Sequence, residues 1–384
     1  MAVTGACLVL FVTFHCLMNA IAICWPTAYN SICMFLGANW YALLASVVLA
    51  AFIVIHIIYA VVLTMKNRKA RGNQRYSMSK RPATVEWSSN NMLVLGIVIL
   101  AFLVVHLIQF WAKMQLQEIR GSEEMIPATA GTLFIQEAFS QVWTPIVYII
   151  GFIALWFHMT HGFWSMFQSV GWDSTVWIPR LKKIGSWWTT LVILCFIAQA
   201  IVFSIKSHEG FYKTNTELRD QYKEMVAAEF ERDYGPDAAQ MAQGIKQTPF
   251  DQLIMMKDQL LLQAPTAEEF VATNPQIQAM LQQIPNPEER EVRVNGIIRL
   301  LKAQDMFARL LFYLNGEEVP AYKPQPQGMN LEEAIQQGQA PQQGQPQQGQ
   351  PQQAQPEKAQ KGQPAQPQEG RPEQANPQQP KPQN

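Results

Sequence analysis

None of the five cysteines (Cys7, Cys16, Cys24, Cys33, Cys195) falls in a C-x-x-C or C-x-x-C-H arrangement. That excludes the usual covalent attachment of haem and leaves no zinc signature; free thiols are the expected state. Charge of either sign is scarce and balanced. The chain has 29 basic and 29 acidic residues, zero formal net charge, and only 15% charged residues. Nothing in that balance points to nucleic acid, and no nucleic-acid partner is expected. The scarcity is also uneven. Asp, Glu, Lys and Arg are absent from five apolar runs: AVTGACLVLFVTFHCLMNAIAIC (2–24), WYALLASVVLAAFIVIHIIYAVVLTM (40–65), NMLVLGIVILAFLVVHLIQFWA (91–112), WTPIVYIIGFIALWFHMTHGFWSMF (143–167) and SWWTTLVILCFIAQAIVFSI (186–205).

A helix crosses a bilayer with roughly 20 apolar residues, and all five runs qualify. The fold class expected is therefore all-α: an integral membrane bundle of five transmembrane helices with lipid as its first partner. Ala20-Ile21-Ala22 resembles a signal-peptidase site. The run around it, however, exceeds the roughly 7–15 residues of a signal core, and no basic residue precedes it, so a retained helix is expected. Lys and Arg then orient the bundle. The link between runs two and three is KNRKARGNQRYSMSKR (66–81), and that between four and five carries Arg180, Lys182 and Lys183. The first–second link has no basic residue, and the third–fourth only Lys113 and Arg120. The N-terminus is expected in the cytoplasm and the C-terminal tail on the outer side. Trp25, Trp40, Trp111, Trp143 and Trp187 fit an aromatic belt at the span ends.

One histidine stands in each of the first four runs, His15, His56, His106 and His158, with His161 a further turn along the fourth. Ionisable groups at bilayer depth are costly and usually have a task. Helical rise converts position into height. His56 and His158 fall roughly 13 Å from the inner boundary, and His15 and His106 roughly 20 Å. An inner pair (His56, His158) and an outer pair (His15, His106) follow, each with two neutral imidazoles on different helices. Such a pair can clamp a porphyrin iron from both sides, an arrangement suited to electron transfer. Copper or zinc wants three or four converging ligands. Gly162, four residues after His158, removes a Cβ that would obstruct a ring lying along the helix, whereas His161 has Ser165 at that offset. His158 is the expected ligand, with His161 the runner-up.

These features resemble the cytochrome b membrane subunit of succinate dehydrogenases and fumarate reductases, in its single-chain, five-helix, di-haem form. The residues carrying the resemblance are the four histidines and the F-H-x-x-x-G-x-W pattern of Phe157, His158, Gly162 and Trp164. The stretches GANWYALLASVVLAA and NRKARGNQRYSMSKRPATVEWSSNNMLVLGI are similar to the version of Bacteroidetes-type bacteria. The similarity covers about residues 1–212. It implies two haems b in a bacterial cytoplasmic membrane, with one-with-three and two-with-four ligation. It also implies an FAD-containing flavoprotein and an iron–sulfur subunit on the cytoplasmic face, and a quinone, menaquinone by type, as electron partner. The chain itself would hold no succinate site and no catalytic residue. Family members usually carry a short basic segment before the first helix, and this sequence starts at the membrane boundary. Some relatives place a carboxylate two residues before the fourth-helix ligand; here that position is Trp156, so the associated proton pathway is not assigned. Alternatives are a di-haem anchor of another dehydrogenase or hydrogenase, and a transporter or scaffold with structural histidines.

Asn19 and Gln109, each about one turn past an outer-pair histidine, are candidates for quinone contact, with interhelical hydrogen bonding as the plainer role. Arg68, Arg71, Arg75, Lys80 and Arg81 are candidates for haem propionates or the iron–sulfur subunit, or simply fix orientation. The domains expected are the di-haem bundle (1–210), a soluble α-helical extension (211–320) and a tail (321–384). In the extension, TELRDQYKEMVAAEFERDY and EREVRVNGIIRLLKAQDMFARLLFYLNG show helical spacing of apolar residues. They suit either a small outer-face domain or amphipathic helices on membrane or partner. The Gln/Pro/Gly-rich tail has too few apolar side chains to fold and is expected to be disordered.

Overall fold

A backbone in hydrocarbon must satisfy its own polar groups, which leaves the helix as the form open to these runs. The computed structural model describes residues 1–37, 39–71, 87–121, 124–234 and 236–322. Among them every regular element is helical. The chain forms α1 (Ala2–Cys24), α2 (Pro26–Gly37), α3 (Trp40–Arg71) and α4 (Trp87–His106), the last continued by a π-helical turn, Leu107–Trp111. α5 (Gln115–Arg120) and α6 (Gly131–Phe139) precede α7 (Trp143–Ser169) and α8 (Trp177–His208). Among the described residues five helices are long and apolar enough to cross a membrane: α1, α3, α4 with its π turn, α7 and α8. The protein has the architecture of a multi-pass membrane protein. Large apolar side chains of α3 such as Val47, Ile58 and Tyr59 stand exposed, far beyond what a water-soluble surface tolerates.

Two boundaries and two helices differ from the sequence expectation. α3 runs on through the basic KNRKAR stretch, because Lys, Ala and Arg favour helix. α8 begins at Trp177, so Trp187 lies ten residues inside the helix rather than at its end. α2 and α6 were not foreseen. Of the basic cluster, Arg75, Lys80 and Arg81 lie outside the described residues.

Residues 211–315 build a helical cap on the end where α8 finishes. It comprises α9 (Phe211–Thr214), α10 (Thr216–Tyr234), α11 (Pro236–Gln247), α12 (Phe250–Leu260), α13 (Ala267–Thr273), α14 (Pro275–Gln282) and α15 (Pro287–Asn315). Local signals punctuate it. Asn274 and Asn286 cap the prolines that start α14 and α15, and Gly316 takes φ 74° to end α15. The extension is thus built of helices. Its core is continuous with the bundle, running from Phe196 and Phe203 of α8 through Leu133 and Phe139 of α6 to Tyr222 and Leu311 of the cap. The described residues fall within one compact unit, Met1–Pro324. The Gln/Pro-rich tail expected to be disordered lies outside the described residues.

α6 is the joint. It is almost wholly buried, and Gly131 lets it approach α2: a Cβ there would fall 2.6 Å from Cys33 Sγ and 2.7 Å from Tyr29 Cε1. Asn30, 0% exposed, accepts from Thr132 N and Oγ1 at 3.0 and 2.9 Å and donates to Gln221 at 3.1 Å. Thr132 Oγ1 in turn meets the Tyr222 hydroxyl at 2.8 Å, which donates to Tyr212 O. All five cysteines are free thiols.

A second joint is ionic. Arg232 of α10 bonds Glu118 of α5 and its neighbour Asp233. Burial pushes the Glu229 carboxyl up to about 7; Arg232 opposes the rise, while Glu118 and Asp233 add to it. The folded state therefore binds a proton that the unfolded chain, with an ordinary Glu, has released, and stability falls as pH rises from about 4.5 to about 7. Glu229→Gln is expected to flatten that decline in the thermal unfolding midpoint in detergent between pH 5 and 8. An unchanged pH slope would contradict the assignment.

Candidate functional site

The four span histidines meet in two pairs. The rings of His15 (α1) and His106 (α4) have centroids 5.8 Å apart, and those of His56 (α3) and His158 (α7) 6.2 Å apart. The pairing is first-with-third and second-with-fourth, as the heights require. His158 is the ring that meets His56, while His161 packs edge-on against Trp164, its ring 4.9 Å away. Among the described residues no three His, Cys, Asp or Glu side chains gather as a metal cluster, so each pair offers two imidazoles alone.

The surroundings of the two pairs differ. His15 and His106 sit among aromatic rings: Phe11 stacks on His15 at 5.4 Å, and Phe110 and Phe102 flank His106 at 5.3 and 6.0 Å. The π turn that follows His106, closed by Ala112 N bonding Leu107 O at 2.8 Å, was invisible in the sequence. It carries both Phe110 and Gln109. Around the other pair, a Cβ added at Gly5 of α1 would stop 4.0 Å from His56 Cε1, and one at Gly162 would meet nothing within 4 Å. Gly162 thus borders open space, while Gly5 lies within ordinary contact distance of His56.

Hydroxyls on neighbouring helices hold two of the rings. His106 Nδ1 lies 3.2 Å from the Tyr148 hydroxyl; Tyr148 donates to Gln109 Oε1 at 2.9 Å, and Gln109 Nε2 donates to Thr144 at 3.2 Å. His56 Nδ1 lies 3.2 Å from Thr4 Oγ1, which donates to Met1 O at 3.0 Å. His15 Nε2 accepts from Asn19 Nδ2 at 3.1 Å, and His158 Nδ1 is buried without a hydrogen-bond partner. Thus Asn19 and Gln109, the candidate quinone contacts, both bond within the outer-pair surroundings. Thr4 and Tyr148 escaped sequence reasoning, because one stands at a helix start and the other is an aromatic among many.

Do these residues fit a porphyrin iron? An imidazole nitrogen binds a first-row metal at about 2 Å, so two rings sharing one ion have centroids roughly 6 Å apart. Both pairs have that separation, and His56 and His106 turn Nε2 away from their hydroxyl partners. His15 is the poorer match, since Asn19 occupies its Nε2 and would have to yield. The donor set fits.

α4 packs closely on α7 beside His106, where Phe102 lies 6.0 Å from its ring. A Cβ at Gly151 would lie 2.5 Å from Phe102 Cγ and 2.9 Å from its Cβ, at the rigid root of that side chain. Gly151→Val is expected to cost about 1–3 kcal/mol by overpacking. A lower thermal unfolding midpoint in detergent would report it; an unchanged midpoint would show the contact to be loose.

Comparison with family models, with curated proteins and with solved structures gives no match. What stands is the class: an all-helical, multi-pass membrane protein with two interhelical histidine pairs.

Proposed function

We propose that the chain is the membrane-anchor cytochrome b subunit of a succinate:quinone oxidoreductase. It would pass electrons between an iron–sulfur subunit and a membrane quinone through two bis-histidine haems b. The observation that carries this reading is the double pairing, His15 with His106 and His56 with His158, at separations that suit one shared iron each. A porphyrin supplies four in-plane donors of its own, so two protein ligands complete the set.

Haem held by each pair would supply a one-electron carrier. The chain's residues do the rest. His56 and His158 hold one group, and His15 and His106 the other. Phe11, Phe102 and Phe110 keep water from the second. Lys66, Arg68 and Lys69 at the end of α3, with Arg180, Lys182 and Lys183 at the start of α8, gather at the end opposite the cap. By the positive-inside rule that end faces the cytoplasm, where an iron–sulfur subunit and an FAD-containing flavoprotein would dock. The N-terminus is then cytoplasmic, and the cap and tail are periplasmic. Asn19 and Gln109 are the amides beside the outer pair for which a quinone, menaquinone by the family resemblance, would compete.

A di-haem anchor of another dehydrogenase or hydrogenase would use the same pairs; only the sequence resemblance favours the succinate complex. Purification from native membrane decides between them. A co-purifying protein with covalent or tight FAD and succinate-reducible haem is the expected result. A stable complex with haem but no flavin would overturn the succinate assignment and leave the cytochrome.

A further inference from the structure

Each histidine pair contains one imidazole whose proton is assigned by its neighbours. A hydroxyl has one proton to give. Tyr148 gives its proton to Gln109 Oε1, and Gln109 is held in that orientation because its amide N–H bonds Thr144. The phenol oxygen therefore has only lone pairs to offer His106 Nδ1 at 3.2 Å. The contact is satisfied when Nδ1 carries the proton, which leaves Nε2 as a bare lone pair. The same count applies to Thr4 in the first helix. Thr4 gives its proton to Met1 O, so its oxygen accepts from His56 Nδ1. His15 and His158 have no such helper, since one bonds Asn19 on its own helix and the other has an unpartnered Nδ1.

We propose that Tyr148 and Thr4 are positioning residues that hold His106 and His56 as Nδ1–H tautomers and thereby tune the iron each would bind. The proposal rests on the haem reading above. A hydrogen bond from Nδ1–H raises the basicity of the opposite nitrogen and fixes the ring's orientation. A more basic ligand favours the ferric over the ferrous state, so the bond lowers the reduction potential. The Tyr148 link belongs to a chain of three bonds that polarise one another, whereas the Thr4 link ends at a backbone carbonyl. Each pair thus joins one ring whose Nδ1–H meets a hydroxyl to one without that contact: His158, whose Nδ1 has no partner, and His15, which Asn19 holds through Nε2. The two hydroxyl-held rings belong to the adjacent helices α3 and α4.

Potentiometric titration of the purified holoprotein, with haem counted by pyridine haemochrome and the ferric signals followed by electron paramagnetic resonance, tests this. Tyr148→Phe is expected to keep both haems and to raise the potential of one haem only, that of the His15/His106 pair. Thr4→Val should raise the other alone, and Thr4→Ser should restore it. Should Tyr148→Phe fail to fold, Gln109→Leu releases the proton that Tyr148 holds on Gln109 and is expected to disturb the same haem. Two haems whose potentials ignore these substitutions, or shift together, would overturn the proposal. A wild-type protein without haem b would instead refute the cytochrome reading.

Discussion

His158→Ala is expected to leave the purified protein with one haem of two, and His161→Ala with both. The argument is geometric. His158 is the ring 6.2 Å from His56 across the bundle, while His161 lies against Trp164. His56→Ala is expected to remove the same haem as His158→Ala. His15→Ala and His106→Ala should remove the other, with complementary changes in the reduced absorbance band. The double variant His56→Ala/His158→Ala should lose no more than either single variant, because the two residues serve one group. Retention of both haems in His158→Ala with loss in His161→Ala would reverse the ligand assignment.

The second large effect concerns the cap. Asn30→Leu strips both Thr132 N and Thr132 Oγ1 of their acceptor at a fully buried position, and the half-buried Gln221 of its donor. Leaving a buried polar group unpaired costs about 1–3 kcal/mol. With two such groups and the shape of leucine to accommodate, a loss of about 3 kcal/mol or more is expected. The cap should then be cleaved faster within residues 211–322 by a protease added to detergent-solubilised protein, while haem content stays at the wild-type value. Cap protection equal to wild type would mean that the α2–α6–α10 network is not what fastens the cap. Simultaneous loss of haem would mean that the cap and the histidine pairs form a single cooperative structure.

The bundle was legible because hydrocarbon leaves so few options: runs without charge become helices, and helical rise turns sequence position into height. That arithmetic sufficed to pair His15 with His106 and His56 with His158. It also extended to preferring His158 over His161, since Gly162 and Ser165 differ by a side chain at the decisive offset. The parts that escaped depend on contacts between distant residues. Thr4 and His56 are 52 positions apart, and Tyr148 and His106 are 42. No local periodicity announces either bond. α6 reads as an unremarkable link, yet Gly131 and Thr132 are where α2 and the cap converge, and Gln136 bonds Ser207 of α8. The π turn after His106 has no proline or glycine to mark it, and it changes which face Gln109 and Phe110 present. Helices α13 to α15, by contrast, carry their signals openly in Thr266, Asn274-Pro275 and Asn286-Pro287.

The central claim is that two interhelical histidine pairs each grip one iron porphyrin. Haem quantification of the purified wild-type chain, set beside its dithionite-reduced minus oxidised spectrum, tests it most directly. The expected result is two non-covalent haems b per chain with a b-type absorbance band. A protein that is folded and helical, expressed with haem in supply, yet shows no such band and no extractable haem would contradict it.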